Sequence, residues 1–334
     1  DAVGNCSAYS DPFVVTYDET PPSVPALESP IGGAYIKDNT PLMQWANSSD
    51  DYSDVKGYYY RVFRNCADIS DSSTCSGVYP YLTGLWRTDS QYQAGSTSDG
   101  TYYWQVMAED NAGNKSNWSN LEKVTIDTKA PDAPVITFPT AGSYFTSTPI
   151  LNQWTTVTDS SGIAYYRVEY VYDDEHSFSD MPYRTTTSTQ RNHIPGTWEQ
   201  GGVTIRVQAV DNAGNEGAWS DPIHYTYDET KPTIEISSPA IDESYQNESF
   251  NIVVNASDTN SGLNNVVVDI FDESNSLVEN CDVSSLGGTS TYTVTCNMDT
   301  TEHSDGIYTI KTNAYDLAGN MSQTLSRSFI FDNK

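Results

Sequence analysis

The sequence has little positive charge. Its 334 residues include 45 Asp and Glu but only 16 Lys and Arg, for a formal net charge of −29 at pH 7. A surface this acidic repels phosphate-rich partners, so we expect neither a nucleic-acid partner nor a membrane contact from this chain. Divalent cations are the partners that such an excess of carboxylates favours.

Cysteine is also scarce. Cys66 and Cys75 lie near each other, as do Cys281 and Cys296, whereas Cys6 stands alone. No C-x-x-C pattern or mixed Cys and His spacing is present, which argues against a zinc site. We predict that each close pair forms a disulfide and that the chain works in an oxidising, extracellular environment; buried unpaired thiols are the alternative.

Catalytic motifs are absent. The four histidines share no motif, and there is no H-E-x-x-H, no G-x-S-x-G and no phosphate-binding glycine loop. Carboxylate pairs suited to glycoside hydrolysis arise by chance among 45 acidic residues, so they carry no weight. We therefore predict that this chain is not an enzyme.

What the sequence does contain is a repeated phrase. It reads DNAGN at 110–114 and 211–215, DAVGN at 1–5 and DLAGN at 316–320. The starts are separated by 109, 101 and 105 residues, which is the size of one modest domain. The chain is therefore predicted to be a tandem array.

A second aspartate follows each of the first three phrases at a constant distance. Asp18, Asp127 and Asp228 each lie 17 residues after the start of a phrase, and proline follows soon afterwards. Proline favours a short, stiff connector. The predicted divisions are the last hairpin of a preceding domain and three complete domains, at 1–19, 20–127, 128–228 and 229–334. We expect the sequence to be a window of a longer chain; a donor strand at its start is the alternative.

The residues before each phrase alternate between apolar and polar, as in YYWQVMAED at 102–110. A period of two is typical of a strand with one buried face, and the next alternating stretch makes the phrase a hairpin turn. No stretch keeps a helical period for three turns. Short strands in domains of about 100 residues predict two-sheet antiparallel β-sandwiches.

The stretch GTYYWQVMAEDNAGNKSNWSN, followed by VTIDTKAPDAPVI, resembles the bacterial Ig-like and fibronectin III-like repeats of large secreted adhesins, stalks and surface-layer proteins. This resemblance implies an all-β chain of tandem sandwiches arranged as an extended rod. It implies a structural segment that projects or spaces at the cell surface. The expected partners are other domains of the same chain, neighbouring copies, or a glycan or protein on another surface.

The sandwich topology brings the entering linker, one inter-strand loop and the hairpin turn to the same end of each domain. The aspartates expected to meet there are Asp18 with Asp50 or Asp51 and Asp110; Asp127 with Asp159 and Asp211; and Asp228 with Asp258 and Asp316. Carboxylates without basic partners repel one another, and calcium resolves this by taking roughly six to eight oxygen ligands. We predict calcium at each junction, similar to the linker ions of cadherins. Turn chemistry of Asp, Asn and Gly also accounts for these residues.

Tryptophans fall into two groups. Trp45, Trp104 and Trp154 occupy inward positions of strands and are predicted core residues. Trp118 and Trp219 follow the hairpin turn, where packing against Arg or Tyr and a sugar-stacking platform are both consistent with the pattern.

Two segments, 64–98 and 172–200, depart most from the repeat and contain Trp86 and Trp198. Binding residues are often carried on variable loops of a rigid scaffold. A carbohydrate- or protein-binding module is therefore one alternative function, and a set of accessory repeats of a secreted glycoside hydrolase is another.

Seven N-x-S/T sequons agree with a glycosylated surface protein. They begin at Asn5, Asn47, Asn114, Asn117, Asn247, Asn255 and Asn320.

Overall fold

The computed structural model describes residues 2–4, 6–15, 17–78, 86–173, 178, 183–196, 200–246 and 249–332, with backbone alone at 78, 86 and 300. This part of the chain is built from strands, with short 3-10 turns at Ser72–Thr74 and Thr300–Glu302. The all-β prediction is confirmed. Within the same ranges, no helix has the length and apolar character needed to cross a membrane.

The described residues of the first sandwich form nine strands in two sheets. They are β1 Leu27–Ser29, β2 Ala34–Ile36, β3 Leu42–Trp45, β4 Val55–Cys66, β5 Cys75–Val78, β6 Trp86–Arg87, β7 Gln91–Gln93, β8 Gly100–Asp110 and β9 Glu122–Ile126. One sheet has the order β1-β3-β7; the other has the order β2-β9-β8-β4-β5, with β6 also paired to β4. The edge pair β2·β9 is parallel, which departs from the purely antiparallel prediction.

Strand β8 shows how the sequence specifies this sandwich. Tyr102, Trp104, Val106 and Ala108 alternate along the strand and are all buried, as a period of two predicts. The Trp104 indole donates a hydrogen bond to the carbonyl of Pro30 at 3.0 Å. Burial of each large side chain contributes about 1.5–3 kcal/mol, so this face stabilises the domain by several such contributions.

The second sandwich repeats the arrangement. Its strands are β10 Ile136–Phe138, β11 Ser143–Phe145, β12 Ile150–Trp154, β13 Ile163–Tyr172, β14 Arg184–Thr186, β15 Gln190–His193, β16 Gly201–Asp211, β17 Glu216–Trp219 and β18 Ile223–Tyr227. The sheets are β10-β12-β15 and β11-β18-β16-β13-β14, with β17 paired to β16. Strand β11 pairs with β18 in parallel. Trp154, like Trp45 and Trp104, is buried as predicted.

The third sandwich has a Val- and Ile-rich core instead of buried tryptophan. Its strands are β19 Thr233–Ser238, β20 Ser244–Gln246, β21 Phe250–Ser257, β22 Leu263–Phe271, β23 Leu277–Asn280, β24 Thr291–Met298, β25 Gly306–Asp316 and β26 Leu325–Phe331. The sheets are β19-β21-β24 and β20-β26-β25-β22-β23. The parallel edge pair recurs as β20·β26.

The chain divides into two compact units. One contains Asp1–Pro131, Thr158–Ala164 and Val210–Glu216; the other contains Asp132–Val157, Tyr165–Ala209 and Gly217–Lys334. Each predicted group of aspartates lies within a single unit. The domain limits at 127 and 228 remain predictions, as does the hairpin at 1–19, where the described residues form no strand.

Candidate metal sites

The structure brings together three groups of aspartates, which we call the first, second and third clusters. They are Asp18, Asp50 and Asp110; Asp127, Asp159 and Asp211; and Asp228, Asp258 and Asp316. Within each cluster, one ligand oxygen from every carboxylate lies within 4.8 Å of the others. Asp51, offered by the sequence as an alternative to Asp50, is exposed and lies outside the first cluster.

Three separate features of the fold position each cluster. In the third cluster, Asp316 is the last residue of β25, and Asp258 follows β21. The linker residue Asp228 comes directly after β18, and its backbone N–H donates to the carbonyl of Phe145 at 2.9 Å. All three carboxylates therefore lie at strand ends, and the hydrogen bond to Phe145 anchors the one that belongs to the linker.

The last residue of the repeated phrase joins the turn to the linker. In the third cluster, Asn320 donates its backbone N–H and its side-chain amide to the two oxygens of Asp316, both at 2.8 Å. The same amide nitrogen donates to the carbonyl of Asp228 at 2.9 Å. We call this arrangement the asparagine clamp.

The asparagine clamp recurs in the other two clusters. The Asn114 amide donates to the carbonyl of Asp18 at 3.1 Å, and the Asn215 amide donates to the carbonyl of Asp127 at 2.7 Å. Turn chemistry and carboxylate convergence are therefore two consequences of one phrase. Sequence reasoning placed asparagine in the turn or in a calcium shell and did not predict its hydrogen bond to the linker, although the return of asparagine at the fifth position of every phrase was the available signal.

The third cluster is the most enclosed. Asp228, Asp258 and Asp316 are 0, 3 and 1% exposed. Burial, followed by the neighbouring Asp228 and Asp316 charges, raises the pKa of Asp258. Burial likewise raises the pKa of Asp316. The ion pairs of the described residues involve other carboxylates, at Glu109, Glu169 and Asp173.

One oxygen of the third cluster has no hydrogen-bond donor. Asp258 accepts from the backbone N–H of Gly262 through Oδ2 at 2.7 Å, but its buried Oδ1 accepts from no protein group. A buried carboxylate oxygen without a partner is costly. A cation among the three carboxylates would remove this cost.

The second cluster is organised by a serine that the sequence did not single out. The backbone N–H of Ser161 donates to Asp127 at 3.1 Å and to Asp159 at 2.8 Å. Burial raises the pKa of Asp159, and the neighbouring Asp127 carboxylate contributes to this shift.

The first cluster is more open. Asp18 and Asp50 are half-buried, whereas Asp110 is fully buried. The backbone N–H of Ser53 donates to Asp50 Oδ1 at 2.8 Å, and hydrogen bonding from Ser53 lowers the pKa of Asp18. The Oδ2 atoms of Asp18 and Asp50 are buried and accept from no protein group.

The donor set fits calcium. Each cluster offers carboxylate oxygens without nitrogen or sulfur ligands, and hard oxygen donors favour calcium or magnesium over zinc. The orphaned oxygens at Asp18, Asp50 and Asp258 are the atoms that would bind such an ion.

Both predicted disulfides are present, at Cys66–Cys75 and Cys281–Cys296. Cys6 is free and exposed.

The sequons occupy different environments. Asn47 and Asn117 are exposed, and the Asn255 amide donates to Ser237 Oγ at 3.1 Å. Asn114 and Asn320 use their amides in the asparagine clamp, so glycosylation there would break it. Asn5 and Asn247 lie outside the described residues. Glycosylation remains a prediction.

Trp118 and Trp219 pack against arginine. The Arg61 guanidinium lies 4.1 Å from the Trp118 ring centroid, and that of Arg206 lies 4.3 Å from the Trp219 ring centroid. Trp198 and the Trp86 side chain lie outside the described part of the chain, which covers segments 64–98 and 172–200 only partly.

Comparisons with known proteins identify similar sequences and folds. A family model described as a bacterial Ig-like domain matches residues 136–228 and 223–333. Chitinase A1 of Niallia circulans is 29% identical over 230 residues, covering 67% of this chain and 28% of that protein. Exoglucanase B of Cellulomonas fimi is 30% identical over 271 residues, covering 78% of this chain and 22% of that protein. The chain thus spans about a quarter of the length of these relatives.

Two solved structures are also similar. The fibronectin(III)-like modules of Clostridium thermocellum CbhA share 17% identity, with a TM-score of 0.30 over 60% of this chain and 94% of that one. Drosophila N-cadherin EC1-4 shares 12% identity, with a TM-score of 0.33 over 93% of this chain and 76% of that one.

Proposed function

Since this chain belongs to the bacterial Ig-like domain family, we propose that it is a structural segment of an extracellular cell-surface protein, held by calcium at its domain junctions. Its work is to project or space other domains of an adhesin, stalk, filament or surface layer. The observation that carries the proposal is the recurrence of one three-aspartate cluster at each predicted junction. Two disulfides support an extracellular location.

The energetics of the clusters support a bound cation. Three carboxylates within 4.8 Å of one another repel when all are ionised. Burial strengthens this repulsion because water no longer screens it. A divalent cation converts the repulsion into attraction and stabilises the folded chain by about 2.7 kcal/mol when its concentration is 100 times its Kd.

Calcium would act on the linker as well as on the domain. Asp18, Asp127 and Asp228 belong to predicted connectors, and each one contributes both a carboxylate to a cluster and a carbonyl to an asparagine clamp. An ion bound to the carboxylate and the amide bound to the carbonyl would restrain the same residue. The connector would then lose much of its freedom to bend.

The test is a calcium titration of the whole chain, followed by thermal unfolding and small-angle scattering. We expect calcium to raise the unfolding midpoint and to lengthen the particle, with reversal by chelator. Matched substitutions at neighbouring positions, Asp50→Asn and Asp51→Asn, provide a control. Only Asp50→Asn is expected to weaken the response. If calcium changes neither the unfolding midpoint nor the particle length, the proposal is wrong. The repeated phrase would then serve only to form the hairpin turn.

A second candidate function is a set of accessory repeats in a secreted glycoside hydrolase. The matches to Chitinase A1 and Exoglucanase B favour it. The test is to read the complete gene and assay the full-length product on chitin and cellulose. A catalytic domain in the same polypeptide would support this function, whereas further repeats and a surface anchor would support the structural role.

A further inference from the structure

The first sandwich carries an open groove of about 760 Å³, a volume within the range of roughly 300–1,000 Å³ that is typical of ligand sites. Its lining combines one large aromatic ring with apolar, hydroxyl, amide and charged groups. The residues that matter most are Trp118, Ile69, Asp71, Gln105, Glu122 and Lys123.

One wall of the groove is a loop of segment 64–98, which the sequence marked as a departure from the repeat. The disulfide between Cys66 and Cys75 closes this loop. Asp71 caps its 3-10 turn by accepting from the backbone N–H of Ser73 at 2.8 Å. Ile69, near the middle of the loop, is 48% exposed. A short loop closed at its base and capped within holds its shape without a ligand, which lowers the entropic cost of binding.

The opposite wall contains Trp118, and Arg61 joins the two walls. The Arg61 guanidinium lies 4.1 Å from the Trp118 ring centroid, and its Nη2 donates to Ser72 Oγ at 3.0 Å. Gln105 holds this arginine through its side-chain amide. The amide oxygen accepts from the Arg61 guanidinium, and the amide nitrogen donates to the carbonyl of Ser119. The indole is therefore held in place, and it lines the groove.

The rim adds fixed polar groups. Glu122 accepts from the backbone N–H of Gly32 at 2.8 Å, which restrains its carboxylate, and Lys123 also lines the groove. Asp71 lies on the facing loop. The groove thus offers acceptors, one cation and an aromatic surface at fixed positions.

We propose that this groove binds a neutral polysaccharide chain. A pyranose ring has an apolar C–H face that packs on an indole and a rim of hydroxyls that donate to carboxylates and amides. Trp118 and Ile69 match the face, and Asp71 and Glu122 match the rim. Two carboxylates at the groove and a net charge of −29 disfavour acidic polysaccharides.

The second sandwich provides a comparison within the same chain. Trp219 also packs on an arginine, but Arg206 there is paired with Glu169 at 2.6 Å and covered by Phe178 at 4.0 Å. Trp219 therefore serves as a matched control for Trp118. Exposed Ile241 serves in the same way for Ile69.

The experiment is calorimetric titration of the whole chain with cellohexaose, chitohexaose and a galacturonic acid hexamer. We expect one of the neutral hexamers to bind saturably. Trp118→Ala and Ile69→Glu should each weaken that binding about tenfold or more, because the first removes the stacking surface and the second replaces an apolar contact with a hydrated charged group. Trp219→Ala and Ile241→Glu should leave it unchanged.

Ile69 is exposed, so we expect Ile69→Glu to leave the fold intact. It therefore tests the groove even if Trp118→Ala fails to fold. Three results overturn the proposal: no binding of either neutral hexamer, tighter binding of the acidic hexamer, or neutral binding that survives Ile69→Glu. The response to calcium is measured separately, so its failure would not affect this result.

Discussion

The first and third clusters contain the same residue types and the same asparagine clamp, yet they differ in burial. All three aspartates of the third cluster are buried, whereas Asp18 and Asp50 of the first are half-buried. The loop between two strands makes the difference. Ser261 in the third sandwich donates both its backbone N–H and its hydroxyl to Asp228, at 3.0 and 2.6 Å. Asp18, the linker aspartate of the first cluster, instead accepts from the backbone N–H of Thr20 in its own linker at 2.8 Å.

This comparison teaches that the repeated phrase and the variable loop have separate effects. The phrase brings the carboxylates together, and the loop decides how much water reaches them. Buried charges are screened less by solvent and salt. We therefore expect the third cluster to bind calcium more tightly than the first and to depend on it more strongly.

The largest expected effect is at Asp258. In saturating calcium, Asp258→Asn should destabilise the third sandwich by about 3 kcal/mol or more, because it removes the ligand oxygen that has no other partner. Without calcium, the same substitution should stabilise the domain by relieving repulsion. Asp18→Asn should lower stability less. Thermal unfolding of the two variants with and without chelator measures these effects. Equal losses of stability in the two variants would contradict the expected difference between the third and first clusters.

The second sandwich contains a buried histidine that also makes stability depend on pH. His193 lies between tyrosines. It is within 2.6 Å of Tyr225 Oη and 3.0 Å of Tyr172 Oη, and it stacks on Tyr170. Burial, followed by the nearby Arg191, lowers the pKa of His193 to about 4.

Since the unfolded chain protonates His193 near its ordinary pKa of about 6.5, stability should fall as pH drops from about 6.5 to 4, by about 3 kcal/mol in total. His193→Gln should remove most of this slope. Urea unfolding of both proteins across this pH range measures the difference. Identical slopes would show that His193 is not buried as a neutral group.

A smaller effect is expected at the asparagine clamp. Asn320→Ala should cost about 1–2 kcal/mol, because it removes hydrogen bonds to a buried carboxylate and to a carbonyl. Asn114→Ala should cost less, since Asp18 in the first cluster is reached by water. Chemical unfolding of each variant tests the order. A larger loss at Asn114 would contradict the role assigned to burial.

The smallest and most specific prediction concerns the sign of the pH response without calcium. Burial raises the pKa of Asp258 and Asp316, so their contribution to stability is present below about pH 3.8 and is lost as pH rises through their folded pKa values. Hydrogen bonding lowers the pKa of Asp18, so its contribution is lost as pH falls. Aspartate titrations followed by NMR in chelator should show shifts of opposite sign. Shifts of the same sign would remove the distinction between the clusters.

Much of this architecture follows from the sequence. Alternation in β8 indicated the buried face, and the topology of a sandwich indicated which aspartates meet. The choice of Asp50 over Asp51 could not be predicted, because it depends on how one loop turns. The parallel pairs β2·β9, β11·β18 and β20·β26 were also missed, since three-residue edge strands carry too little pattern. The groove beside Trp118 requires Arg61 and Ser72, which no motif connects.

The asparagine clamp has a consequence for how such a protein changes in length. Asp228 and Asn320 lie 92 residues apart in sequence and yet share a hydrogen bond, and Asp127 with Asn215 and Asp18 with Asn114 repeat the arrangement at 88 and 96 residues. A DNA segment copied from one linker aspartate to the next would therefore encode both the aspartate and the asparagine of one clamp. Duplication or deletion of such a segment would lengthen or shorten the polypeptide while leaving every remaining junction with its full set of parts.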